Sequence, residues 1–103
     1  TEAQARLSRI NTTLKARASA AQASVEWFEQ LQTNAQEQAA LAQQVYALYQ
    51  QSFKLGETNL PTLLRLEQQS FEAERMAKKS SSEYASKVSA LRQALGLLPQ
   101  QTP

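Results

Sequence analysis

The chain has 103 residues, of which 42% are hydrophobic and many of those are alanine, so the large side chains that fill a compact core are few. Its net charge is only +2 and its basic residues are scattered, with Lys78-Lys79 the one adjacent pair; this is a solvated surface rather than an electrostatic track for nucleic acid. Cysteine and histidine are both absent, which removes disulfides, thiol chemistry and the usual transition-metal ligands, and no run approaches the ~18–20 apolar residues of a membrane-spanning helix.

The amino end, Thr1-Glu2-Ala3-Gln4, carries no initiator Met and no basic-then-apolar leader, and the chain is expected to be a piece of a longer protein. From there the composition is dominated by Ala, Gln, Leu, Ser, Glu, Lys and Arg, mostly good or adequate helix formers. Leu7, Leu14, Ala21, Phe28, Ala35, Ala42 and Tyr49 recur every seven residues, the mark of a helix packed lengthwise against another. Ile10, Leu31 and Val45 flank this row on one side, and Ala18, Val25, Ala39, Tyr46 and Phe53 on the other. The spacing predicts a helix over 2–55.

A single glycine interrupts the pattern, in Phe53-Lys54-Leu55-Gly56-Glu57-Thr58-Asn59-Leu60-Pro61. Gly56 suits the left-handed conformation that ends a helix, Thr58 or Asn59 can cap the next one, and Pro61 falls in a first turn where its missing N–H is not needed. The turn is therefore placed at 56–59 and a second helix at 60–96. Along that helix Leu63, Ser70, Ala77, Tyr84, Leu91 and Leu98 again recur every seven residues, supported by Leu60, Leu64, Leu66, Phe71, Ala73, Val88 and Leu95. Gly96 and Pro99 stop it, and 99–103 is expected to be a flexible tail.

The predicted fold is all-α, a long antiparallel two-helix coiled-coil hairpin. About 54 residues at ~1.5 Å each would run about 80 Å, so such a hairpin cannot hide its own seams fully. Small residues in the seams allow close backbone approach, and the breadth of the apolar stripes suits helices with more than one neighbour, as in a sheet or barrel of helices. Glu2 with Arg6, Glu74 with Lys78 and Glu83 with Lys87 stand four apart and support helix, each by roughly 0.2–0.5 kcal/mol.

Catalysis has little to work with. There is no nucleophile with a base, no glycine-rich phosphate loop, and Glu72 and Glu74 point to different helix faces. The acidic residues are dispersed, so no hard-cation site is expected, and neither is a cofactor. Trp27, Phe28, Tyr46, Tyr49, Phe53, Phe71 and Tyr84 fall mostly on seam rows and are assigned to packing. The Gln-rich face, with Gln36, Gln38, Gln43, Gln44, Gln50 and Gln51, either serves solubility alone or lines a water-filled lumen.

The turn and the returning helix resemble the periplasmic hairpin of TolC-family outer membrane efflux proteins, the exit ducts of tripartite pumps. The resemblance rests on Phe53, Gly56, Leu60, Leu63, Leu64, Ala73, Tyr84, Leu91, Leu95 and Gly96, and covers Tyr46 to Leu98; the first forty residues share only helical character. Gly56-Glu57 followed by Leu60-Pro61-Thr62-Leu63-Leu64-Arg65 is most similar to the heavy-metal, CzcC-like branch, and the terminal Ala-Leu-Gly-Leu-Leu-Pro to the end of the family's second, C-terminal repeat. This resemblance implies a passive conduit for metal cations or small toxic compounds. It implies a homotrimeric helical barrel in the periplasm of a Gram-negative bacterium, part of an outer membrane protein, with no membrane contact by this segment itself. It also implies docking of Leu55, Gly56 and Glu57 onto a periplasmic adaptor, and through that adaptor coupling to an inner membrane pump.

Thr62 and Arg65 would line the constricted entrance. Family members often carry acids at these two positions, so the ionic links and cation attraction seen there do not carry over unchanged. Arg65 could equally be a surface arginine paired with a neighbouring carboxylate. Two other readings of the chain compete: the coiled-coil hairpin of the adaptor itself, and a self-assembling structural coiled coil with no transport role. Adaptor hairpins usually lie between lipoyl-like β segments and carry an Arg, Leu and Ser pattern near the tip, and neither is present. A scaffold has no need of the particular Gly-Glu-Thr-Asn-Leu-Pro-Thr-Leu-Leu tip.

Overall fold

In the computed structural model, which describes residues 1–96, two helices account for nearly the whole chain: α1 (Glu2–Lys54) and α2 (Leu60–Gly96). They pack against each other as a helical hairpin, with no strand among the described residues. The tail expected at 99–103 and the seam position at Leu98 lie outside the described residues. Contacts divide the chain into one unit of residues 1–29 and 83–103 and a second of residues 30–82.

In the first unit, Asn11, Leu14, Ala18, Ala21, Val25 and Phe28 are shielded at alternating steps of three and four, the register of a coiled-coil seam. Tyr84, Lys87, Val88, Leu91 and Ala94 are their counterparts on α2. The Lys87 ammonium lies 5.0 Å from the centre of the Phe28 ring, so its stem covers the seam while its charge meets an aromatic face. Asn11 interrupts the apolar row, and its Oδ1 is buried without a hydrogen-bond partner.

In the second unit the seam continues through Gln32, Ala35, Ala39, Ala42 and Tyr46 on α1. On α2 it runs through Leu63, Leu66, Ser70, Ala73, Ala77 and Ser80. The most deeply buried positions of the described chain are Ala18, Ala39 and Ser70, all small. Side chains of that size bring helix backbones close, but each buries little area, so stabilisation per residue is low. Apolar burial of that kind leaves much surface over: the chain exposes 7911 Å², where a compact chain of its mass exposes roughly 5,800 Å².

The two rows flanking the seven-residue repeat of α1 are unequally buried, with Val45 half-buried in one and Phe53 exposed in the other. Ala18, Val25, Ala39 and Tyr46 are buried or half-buried, whereas Ile10 and Leu31 remain exposed at 50% and 36%. On α2 likewise, Leu60, Leu64, Phe71 and Leu95 stay exposed. The hairpin therefore leaves broad apolar stripes outside its own seam.

Candidate functional site

The tip of the hairpin is built by backbone chemistry. Gly56 adopts φ 76°, the left-handed region that an L side chain enters only with strain. That conformation lets the Glu57 N–H donate to the Ser52 carbonyl at 2.9 Å and the Gly56 N–H to the Phe53 carbonyl at 3.0 Å, a Schellman pair that satisfies the last carbonyls of α1. No atom lies within 4 Å of where a Gly56 Cβ would stand, so the demand for glycine is conformational and not one of space.

The start of α2 is fixed just as locally. The Asn59 side-chain oxygen accepts from the Thr62 N–H at 2.9 Å, and the Asn59 carbonyl accepts the first helical bond, from Leu63. Asn59 is thus the cap, while Thr58 turns inward and shares a 2.6 Å hydroxyl–hydroxyl hydrogen bond with Ser52 across the turn. With both helix ends satisfied, the turn presents a defined surface.

On that surface Leu55 is 73% exposed, and Glu57 is exposed beside it. A leucine held in water at a rigid turn contributes nothing to the hairpin's own seam. The two residues assigned to the entrance lie on the first turns of α2: Thr62 is half-buried, and Arg65 is exposed with no ion pair among the described residues. The tip triad forms one patch, whereas Thr62 and Arg65 stand one helical turn apart on α2.

One face of the second unit carries a polar ladder that the sequence did not suggest. The Tyr46 hydroxyl donates to Glu67 Oε2 at 2.6 Å and accepts from Gln50 Nε2 at 3.0 Å, Gln43 Nε2 donates to Glu74, and Gln32 Nε2 donates to the Ser81 hydroxyl at 3.0 Å. Glu74 was expected to pair with Lys78 on its own helix, but its carboxylate takes the amide of Gln43 across the seam. The available signal was Glu67, Glu74 and Ser81 recurring every seven residues beside the apolar row of α2.

The carboxylate of Glu67, accepting the phenol proton, raises the Tyr46 pKa above its ordinary 10.0. A raised folded-state value means that this contact is fully present below the unfolded pKa and is lost as pH rises through the folded one. We therefore expect the Tyr46 phenolate to form at higher pH in the parent chain than in Glu67→Gln, as read by absorbance titration. Coincident Tyr46 titrations in the two proteins would show that the hydrogen bond is not maintained in solution.

Elsewhere in this unit the helices leave an apolar groove of about 180 Å³, lined by Leu41, Ala42, Val45 and Leu66 and edged by Gln38 and Gln69. Leu41 and Leu48, at 55% and 66% exposure, extend the apolar surface along α1. No group of metal-ligating residues is assembled among the described residues, and no described helix is long and apolar enough to cross a membrane. Comparison with models of protein families, with curated proteins and with solved structures returns no match, so the tip, the ladder and the exposed stripes carry the functional argument alone.

Proposed function

We propose that the chain is a wall segment of an outer membrane efflux duct of the TolC type, a passive periplasmic conduit for metal cations or small toxic compounds. The observation that supports this reading best is the tip: a conformationally fixed turn whose apex offers an exposed leucine, Leu55, beside a carboxylate, Glu57. Such a patch is suited to end-on contact with a partner, since a small apolar anchor on a rigid support loses little entropy on docking.

The exposed apolar stripes support the same reading. Leu31, Leu41 and Leu48 on α1, and Leu60, Leu64 and Phe71 on α2, are left for other helices to cover. In the proposed assembly adjoining hairpins of a homotrimeric barrel cover them, the adaptor meets Leu55, Gly56 and Glu57, and an inner membrane pump supplies the energy. The hairpin itself performs no chemistry.

Site-specific photo-cross-linking from Leu55 and Glu57 in the full-length protein tests the assignment. Capture of a periplasmic adaptor supports the duct, and capture of no adaptor from either position favours a structural coiled coil. Arg65 is proposed to line the entrance, and its lack of an ion pair among the described residues leaves the guanidinium available to a neighbouring hairpin. Arg65→Glu is expected to change the single-channel conductance or leakiness of the full-length duct several-fold, through like-for-opposite charge at a constriction. Unaltered conductance and leakiness in this variant remove Arg65 from the entrance.

A further inference from the structure

The charge of the chain is unevenly placed. The first unit holds six basic and four acidic residues and the second five of each, so the whole net charge of +2 lies in the first. Within it, Ala3 to Val25 contains Arg6, Arg9, Lys15 and Arg17 and no acidic residue.

Three of these cations converge on one surface. Arg6, Arg9 and Arg17, with Thr13, surround Ile10 and Leu14 in a groove of about 610 Å³ along α1. All three arginines are exposed; Ile10 is 50% exposed, and neighbouring Leu7 is 60% exposed. Arg6 reaches Glu2 only at 3.8 Å, with both side chains in solvent, a contact worth little. The Arg9 Nε donates to the Ala5 carbonyl at 3.5 Å, which leaves its terminal nitrogens available. Arg17 has no ion pair among the described residues.

We propose that this face is a docking surface for an acidic amphipathic helix of a partner protein. Leu7, Ile10 and Leu14 follow the three-and-four spacing that receives the apolar side chains of a second helix, and Arg6 to Arg17 spans about 16 Å, three turns of such a helix. The arginines are planar donors that pair carboxylates in two-point contacts, so glutamates bordering the partner's apolar stripe meet them directly. Charge complementarity selects this occupant. A nucleic acid would find no aromatic residue between Ala3 and Val25 to stack on, and a lipid surface would find only three large apolar side chains in the groove and its margin. The inference stands apart from the duct assignment, because it concerns neither the tip nor the stripes of the second unit.

The test uses the 103-residue chain and a fluorescent helical peptide of about 18 residues, with leucines at three-and-four spacing flanked by glutamates. Anisotropy should show saturable binding that weakens several-fold between about 50 and about 300 mM salt. The triple variant R6E/R9E/R17E should weaken it at least about tenfold. A peptide with Gln in place of each Glu should fail to bind. The milder R9Q/R17Q, with helicity checked by circular dichroism, should weaken binding with the helix intact. Absence of binding, binding indifferent to both arginine variants, or arginine-dependent binding only to phosphatidylglycerol vesicles would each overturn the proposal.

Discussion

Replacing Ala39 with glutamate is expected to destabilise the second unit by about 3–5 kcal/mol, a large part of the roughly 5–15 kcal/mol that holds a typical domain folded. Ala39 is 8% exposed, in a seam where the helices approach over small side chains. A carboxylate there has no partner among Ala35, Ala42 and Ala77, and the helices must separate to hydrate it. The neighbouring Ala40 is exposed, and Ala40→Glu should change stability by no more than about 0.5 kcal/mol. Urea unfolding followed by circular dichroism distinguishes the two. Equal midpoints for both variants would show that α1 does not present Ala39 to α2.

The second large effect is expected at the tip. For the proposed duct, Leu55→Glu in the full-length protein should reduce adaptor capture by more than about tenfold, since the proposed apolar anchor is lost and a charge must be desolvated against the partner. Stability should change little, because Leu55 is 73% exposed. Leu55→Met, similar in size and hydrophobicity, should preserve capture. Capture undiminished in Leu55→Glu would exclude this leucine from the contact and return the tip to a purely structural role.

The hairpin itself was legible because its punctuation is unambiguous. Gly56 and Pro61 are the only glycine and proline between Glu2 and Leu95, and together with Asn59 each has a distinct local task at the turn. The seven-residue rows were legible for the same reason that coiled coils are: the period alone defines the seam. Which flanking positions join the seam was not legible, since the exposed Ile10 and Leu31 are as apolar as the half-buried Val25 and Val45.

The polar ladder was hidden for a different reason. Pairing Glu74 with Gln43, or Tyr46 with Glu67, depends on the register of α2 against α1, and the turn fixes that register only once its hydrogen bonds are formed. Sequence displays partners along one helix, such as Lys78 for Glu74, and is silent on those across the seam. The tip residues were placed by resemblance, and geometry adds the exposure of Leu55 and the strain that reserves position 56 for glycine.

The alanine-lined seam also has a calorimetric consequence. Melting it brings little additional hydrocarbon into contact with water, and that hydration is what gives unfolding its large heat-capacity increment, ordinarily ~12–15 cal/mol/K per residue. For this chain the increment is expected to fall below that range. Its stability curve is expected to be correspondingly shallow, varying less with temperature than that of a protein with a leucine-filled interior.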